Sequence, residues 1–500
     1  MRKIFKLFAI VSALLFFSCE KHLETNPDMR TEINSVDKVK QLVGTAYPTY
    51  GYLAMAEMYS DNVSDKGPTV SGSNLRNPFP EYYRWEDVKE TGENTPTQYW
   101  NSVYFGIATA NQALEAIEKN NLGSEVNAYK GEALVARAYG HFMLAVFFAK
   151  QYNPNGSNDS PGIPYILEPE TKPIVKYSRG TVESVYNQIE KDLLEGLSLL
   201  EGGQWQIPKF HFTKAATHAF AARFFLFKGN WQKVIDHTNQ IFAGGDYTGN
   251  LRNYVSEINS LTTADFNAFF TKSDKKFNLL LREIYSVYQR SDRFATSRYG
   301  FSQEIFNTIY SSAAPNPITP AGGANTNFIS RSLSFGTGHF TTYVFREHFH
   351  LTDATAQIGY AMMMQPLFTA DEALMNRAEA YAQLGQIDKA INDLNYFASV
   401  RRFNFASSGG VTIEKSKQFF NVTDDNDAII QTVLHFKRVA FMGEGLRWFD
   451  ILRHKIMVKH NFIDENSDIT YEELGPEDPR RVFQIPEEAI KLGGLEPNPR

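Results

Sequence analysis

Among its 500 residues the chain has one cysteine, Cys19, so no disulfide can form within it and its own core must hold the fold. Beyond the first 18 residues no segment reaches the roughly 20 uncharged residues that a bilayer crossing needs. The formal net charge is −6, and no Lys/Arg cluster is interleaved with stacking aromatics, which together exclude a nucleic-acid groove. Also missing are His-Glu-x-x-His, Gly-x-Ser-x-Gly, a phosphate-binding glycine loop and Cys-x-x-Cys, the compact signatures of metal, hydrolase, nucleotide and dithiol chemistry. Tryptophan is scarce, with 5 residues against 39 Phe and 25 Tyr.

What is present starts at the N-terminus. Arg2, Lys3 and Lys6 precede the apolar run Leu7 to Phe17, which ends at Ser18-Cys19 before Glu20 and Lys21; this is the pattern of a secretory signal peptide. Cys19 stands where a signal peptidase would expose it. The arrangement resembles a bacterial lipobox, with Phe16 where that motif prefers Leu. The expectation is a signal peptide over 1–18, lipidation at Cys19 and a polar, Pro27-containing tether over 19–34. Several acyl chains would anchor the protein stably where one is marginal, so the membrane is met through the lipid alone.

A composition 43% hydrophobic and 14% aromatic excludes disorder for most of the length. Residues 35–500 read as one domain, with an N-terminal helical half to about 245 and a second half from about 246. Apolar residues recur at helical spacing over Tyr99 to Lys119, Asn127 to Ala149, Thr181 to Leu200, Thr213 to Phe227, Trp231 to Phe242, Thr369 to Leu384, Ile387 to Val400 and Ala428 to Met442. Strand signals are short and scattered, so the fold class is mainly α. Trp100, Tyr104, Ile107 and Asn111 share a helix face, which assigns Trp100 to the core rather than to a ligand platform.

Ala378, Tyr381, Gly385, Ala390 and Leu394 occupy the small, aromatic, turn, small and large positions of a tetratricopeptide helix pair, and Ala222, Phe225 and Gly229, followed by Trp231 and Val234, form a weaker copy. A tetratricopeptide-like helical repeat scaffold follows. Between the helices lie long stretches rich in Gly, Ser, Asn, Asp and aromatics, chiefly Asp61 to Gln98, Gln151 to Arg179, Phe242 to Tyr310 and Pro315 to Thr342. Loops of this length inside a folded chain tend to be functional.

A sugar site needs flat aromatic faces flanked by groups that bond hydroxyls. Asp61, Asn62, Tyr82, Tyr83, Arg84 and Trp85 offer that mixture, in a stretch that Pro78 and Pro80 break. Arg293, Arg298 and Tyr299 form a second candidate cluster. His348 and His350, with Glu347 and His339, bring imidazoles close enough to suggest a chelate, although such histidines more often serve as polar surface. The runs Asp424 to Asp427 and Asp464 to Asp468 lack the glycine and terminal Glu of a calcium loop and read as solvated turns, with a lone structural Ca²⁺ left open. Glycoside hydrolysis needs only two carboxylates, so a surface glycosidase also stays open at this point.

Four segments resemble the SusD/RagB family. Trp100, Tyr104, Ile107, Ala110 and Asn111 match a W-x-x-x-Y-x-x-I-x-x-A-N helix, and Glu132, Ala133, Arg137, Ala138 and Tyr139 match E-A-x-x-x-R-A-x-Y. Glu444 to Arg453 is similar to E-G-x-R-W-x-D-L-x-R, and Phe483 to Pro486 with Asn498-Pro499 resembles the closing F-P-I-P and N-P elements. The family's Glu-Arg and further Glu are replaced by Phe436, Lys437 and Ala440, which leaves Arg438 and Glu444 as the expected remainder of a local ion-pair cluster. Arg447, Trp448 and Asp450 are expected to lock the C-terminal segment onto the helices.

The resemblance implies a non-catalytic lipoprotein on the outer face of the outer membrane, lying as a lid over a SusC-like, TonB-dependent transporter to which it delivers an oligo- or polysaccharide. A peptide receptor of the same import device is the alternative. The helical units would serve the barrel contact and the irregular insertions the ligand.

Overall fold

The computed structural model describes residues 32–68, 78–172, 175–286, 288, 297–334, 338, 340–342, 344–345 and 347–500. Several helices begin where a hydroxyl or amide side chain caps them. Ser35 accepts from the Lys38 amide at the head of α1 (Val36–Val43), which α2 (Leu53–Met58) follows. Thr95 accepts from Gln98 at the head of α3 (Pro96–Asn120), where Pro96 costs nothing because that first amide has no helical partner. The next helix, α4 (Asn127–Phe148), is buried almost throughout, so neighbours must surround it. α3 packs on one side and α5 (Val182–Leu199) on another. A Cβ on Gly131 would come within 2.6 Å of the Gly196 carbonyl oxygen, and one on Gly196 within 2.7 Å of that of Gly131. These two glycines therefore set the α4–α5 crossing.

Two helical hairpins follow the same design. α6 (Lys214–Phe227) turns into α7 (Trp231–Asn239), and α8 (Ala370–Gln383) into α9 (Ile387–Ser399). Their turns use Gly229 at φ 67° and Gly385 at φ 70°, a conformation that costs other residues more. Ala222, Val234, Ala378, Ala390 and Leu394 are fully buried, and α7 packs on α8, so the hairpins lie side by side. α10 (Asp425–Ala440) covers α8 and α9, and the short α11 (Arg447–Arg453) follows. All eight periodic stretches read from the sequence are helices, with ends displaced by three residues at most, and the fold is mainly α.

The stretch Phe242 to Tyr310, expected to be irregular, contains β1 (Asn278–Tyr285). It pairs antiparallel with β3 (Ile358–Thr369), which also pairs with β2 (Glu347–Asp353), giving the order β1-β3-β2. Leu279, Leu280 and Leu281 are all buried, so β1 lacks the alternation that announces a half-exposed strand. A hairpin of β4 (Val458–Ile463) and β5 (Ile469–Leu474) comes after α11, and α12 (Glu487–Lys491) precedes the C-terminus.

Buried ion pairs tie these pieces together. Arg137 of α4 holds Asp192 of α5 at 2.6 and 3.0 Å, and Arg223 of α6 holds Glu372 of α8 at 2.6 and 2.7 Å. Glu379 of α8, wholly buried, receives Arg453 at 2.7 and 2.9 Å, His454 at 2.8 Å and Lys437 at 3.5 Å. Lys437 and Arg453 also reach Asp450. Burial alone would push the Glu379 carboxyl up; Arg453, Lys437 and His454 outweigh it and hold it well below the usual carboxylate range. Arg438 and Glu444, expected to remain together, have separate partners. Arg438 contacts Asp61 and Asn62, and Glu444 pairs with Arg252 at 3.1 Å, while Lys437 bonds Glu379 and Asp450. The C-terminal lock holds: Arg447 reaches Asp61 at 2.8 and 2.9 Å, Trp448 is fully buried, and Asn498 donates to the Phe148 and Phe483 carbonyls.

Two outcomes follow for stability. Glu379→Ala leaves Lys437 and Arg453 sharing Asp450 as their one buried counter-charge and should cost about 3–5 kcal/mol, read as a lower urea midpoint. His141 is fully buried, facing the Arg137 carbonyl through Nδ1 and accepting the Ile166 amide at Nε2, and burial pushes its pKa down to about 3 from 6.5. The unfolded chain takes up that proton below pH 6.5 while the folded chain refuses it until about pH 3, so this part of the stability shrinks as pH falls. The stability difference between wild type and His141→Ala, measured by urea titration, should therefore narrow from pH 7 to pH 4, by at most about 1.4 kcal/mol per pH unit.

Candidate functional site

Of the residues expected to bind ligand, Asn62, Tyr82, Tyr83, Trp85 and Tyr299 are buried. Tyr83 is wholly buried, stacked on Tyr299 at 4.3 Å and on His460 at 4.2 Å, and Trp85 covers the other face of His460 at 4.4 Å. The four-ring stack Tyr299–Tyr83–His460–Trp85 leaves none of its members a free face of any size; Trp85 is 2% exposed. The ring nitrogens of His460 lie 2.8 and 2.9 Å from the Tyr83 and Ser60 carbonyl oxygens. The Tyr83 hydroxyl donates to the Asn461 carbonyl and accepts the Asp65 amide, both at 2.7 Å, while the Tyr82 hydroxyl donates to the Asn94 carbonyl at 2.6 Å.

Asp61 and Asn62 are equally committed. Burial raises the Asp61 pKa, but Arg438 and Arg447 carry it far below the ordinary range, and Asn62 bridges Glu57 and Arg438. Arg298 pairs with Asp65, both contacts at 2.7 Å. Arg293 and His339 lie outside the described residues. The physical reason for their burial is closure at long range: the β4–β5 hairpin, nearly 400 residues on, packs over Tyr83 and Trp85.

Exposed aromatics gather elsewhere. Tyr285, at the end of β1, meets Tyr50 at 5.1 Å and Tyr360 of β3 edge-on at 5.4 Å. Tyr285 opposes Met362, His348 opposes Met362 and His350 opposes Tyr360. By the two-residue period of strands, Glu283, Tyr285, His348, His350 and Tyr360 therefore share one face of the sheet. Tyr360 is 49% exposed; Tyr50 and Tyr285 are half-buried.

The platform is held from beneath. Ser102 of α3 accepts the amides of Thr49 and Tyr50 at 2.7 and 3.0 Å, and the Thr49 carbonyl accepts the Tyr285 amide at 2.8 Å. His348 bonds Glu283, and Gln98 bonds the Tyr50 hydroxyl, whose pKa is raised chiefly by burial. Three phenol rings with an imidazole, a carboxylate and an amide around them can stack on the apolar face of a sugar ring and bond its hydroxyls. Tyr50, Tyr285 and Tyr360 escaped the sequence reading because they lie 235 and 75 residues apart in the chain; the alternation Ile358-Gly359-Tyr360-Ala361 is the one local signal that could have pointed to a strand presenting Tyr360.

Among the described residues no group of three or more His, Cys, Asp or Glu could hold a metal ion. His348 is taken by Glu283. The acidic runs serve local structure: Asp424 caps α10 by accepting the Asp427 amide at 2.8 Å, and Asp464 accepts the Asn466 and Asp468 amides at 2.8 and 2.9 Å in the β4–β5 turn.

Two family models match the chain, one described as starch-binding associating with outer membrane over residues 21–226 and one as the SusD family over 269–488. The chain belongs to the SusD/RagB family. Solved structures agree in fold. A SusD superfamily protein from Bacteroides thetaiotaomicron superposes at TM-score 0.63 with 19% identity, covering 93% of this chain and all of that one. A putative sugar binding protein from Bacteroides vulgatus reaches 0.66 with 20% identity, covering 94% and 99%. A SusD-like carbohydrate binding protein from the same organism reaches 0.63 with 16% identity, covering 92% and 97%. No curated protein matches the sequence.

The SusD/RagB signature residues are structural in this chain. Trp100 and Ile107 are buried on α3, Asn111 donates to the Ile166 carbonyl at 3.0 Å, and Glu132 accepts from Tyr47, Trp205 and His211 at 2.6 to 2.7 Å. Among the described residues no helix is long and apolar enough to cross a membrane. Trp85→Ala is expected to cost about 3–5 kcal/mol of folding stability through the lost stack and cavity, seen as a lower melting temperature.

Proposed function

We propose that this SusD/RagB protein captures an oligo- or polysaccharide on the Tyr50–Tyr285–Tyr360 platform and passes it to a SusC-like, TonB-dependent transporter. The observation that carries this reading is the tyrosine cluster, with Tyr360 exposed and Tyr50 and Tyr285 half-buried, on a sheet braced by α3, an aromatic surface with hydroxyl-bonding groups at its edge. The sugar- and carbohydrate-binding names of its structural relatives agree with it.

The protein acts without catalysis. It is tethered through lipid at Cys19, in the segment outside the described residues, and faces outward from the outer membrane. Modest affinity suits such a receptor, because cargo held beside its transporter is locally concentrated and must be released.

The test is a glycan array together with an oligopeptide panel and a reducing-end assay, followed by calorimetry on any hit. Tyr285→Ala and Tyr360→Ala should each weaken glycan binding about tenfold while helical circular dichroism stays unchanged. Binding of peptides alone, appearance of new reducing ends, or glycan binding indifferent to both substitutions would refute the reading.

A further inference from the structure

On the opposite face of α3 from Ser102 lies a second concave surface. A groove of about 280 Å³ runs between α3, residues 164–170 with Val175 and Tyr177, and the C-terminal residues around α12. Trp100, Tyr104, Ile107, Ile166 and Leu495 supply its apolar lining, and the charged side chains that line it are Glu168 and Glu170. Its rim carries an exposed apolar side chain: Leu492, a lining residue, is 59% exposed.

The walls are preformed. Tyr104 donates to the Pro164 carbonyl at 2.8 Å, Asn111 to that of Ile166 at 3.0 Å and Arg137 to that of Leu167 at 3.1 Å. On the other side Arg179 donates to the Glu496 carbonyl at 2.9 Å, and the Leu495 amide to that of Ala489 at 3.1 Å. A site whose backbone is already fixed loses little entropy when it is filled.

We propose that this groove receives a segment of another polypeptide that carries a bulky apolar side chain next to a Lys or Arg. The apolar lining and rim match such a side chain in size and polarity, and the two carboxylates match the cation. A sugar fits poorly. The Tyr104 hydroxyl is already spent on Pro164 and that of Tyr177 on Glu170, which leaves, among the described lining residues, the two carboxylates as acceptors and no free side-chain hydroxyl or amide donor beside them. The groove is thus separate in place and chemistry from the tyrosine platform.

The test uses two acetylated, amidated tetrapeptides, Lys-Leu-Phe-Lys and Glu-Leu-Phe-Glu, titrated into the purified protein by calorimetry at low salt. The basic peptide should bind about tenfold more tightly. The exposed double substitution Glu168→Gln, Glu170→Gln should reduce that preference to about twofold, and Ala108→Trp, which fills the groove, or Leu492→Asp, at an exposed position, should abolish binding with circular dichroism unchanged.

Equal affinity for both peptides, binding of neither, or binding that survives both Ala108→Trp and Leu492→Asp would overturn the proposal. So would concentration-dependent dimerisation that Leu492→Asp abolishes in the absence of peptide binding, since a second copy would then be the occupant. Displacement of the basic peptide by an oligosaccharide would return the groove to sugar binding.

Discussion

The carboxylate of Glu379, with no exposure to solvent, is the constraint on which much of the rest turns. A buried charge is tolerated only when it is paired and bonded. Glu379 lies on α8, while Lys437 comes from α10 and Arg453 and His454 from α11 and the residue after it. The shared carboxylate ties those elements to one another. Lys437 and Arg453 extend the network to Asp450, and from the same α11 Arg447 reaches back to Asp61 near the start of the chain. With one cysteine in the sequence, such pairs do what crosslinks do in many exported proteins, though by penalising alternatives rather than by adding much net stability.

From this frame the surfaces acquire their positions. Asp61 fixes the N-terminal segment, and the stack of Tyr299, Tyr83, His460 and Trp85 seals it under the β4–β5 hairpin. α3 then serves two sides. Ser102 holds Thr49 and Tyr50 against β1, which sets the tyrosine platform, while Trp100 and Tyr104 point the other way and floor the apolar groove. One rigid helix thereby carries a polar aromatic surface suited to sugar and an apolar acidic one suited to protein.

Much of the helical scaffold was legible beforehand because amphipathic periodicity and glycine turns are local properties. Gly229 and Gly385 end their helices whatever surrounds them. β1 was not legible, since three consecutive buried leucines erase the alternation. The burial of Tyr82, Tyr83 and Trp85 was not legible for a related reason. Pro78 and Pro80 break the helical pattern of the sequence, yet Phe79–Tyr83 forms a short helix with proline at its start, and its aromatic side chains are buried by residues far along the chain. An aromatic-rich loop has the same composition whether it waits for a ligand or for another part of its own protein.

The sequence by itself determined the family, the mainly helical class, the helix pairs and the expectation of a lipid anchor at Cys19, because each rests on short-range spacing or on ordered motifs. Only the tertiary structure decided which aromatics are free. Tyr50, Tyr285 and Tyr360 meet across hundreds of residues through strand register, and Trp85 and Tyr83 vanish into a stack through the same kind of distant pairing. Exposure is a property of what closes over a residue, and that is settled by contacts that no local pattern encodes.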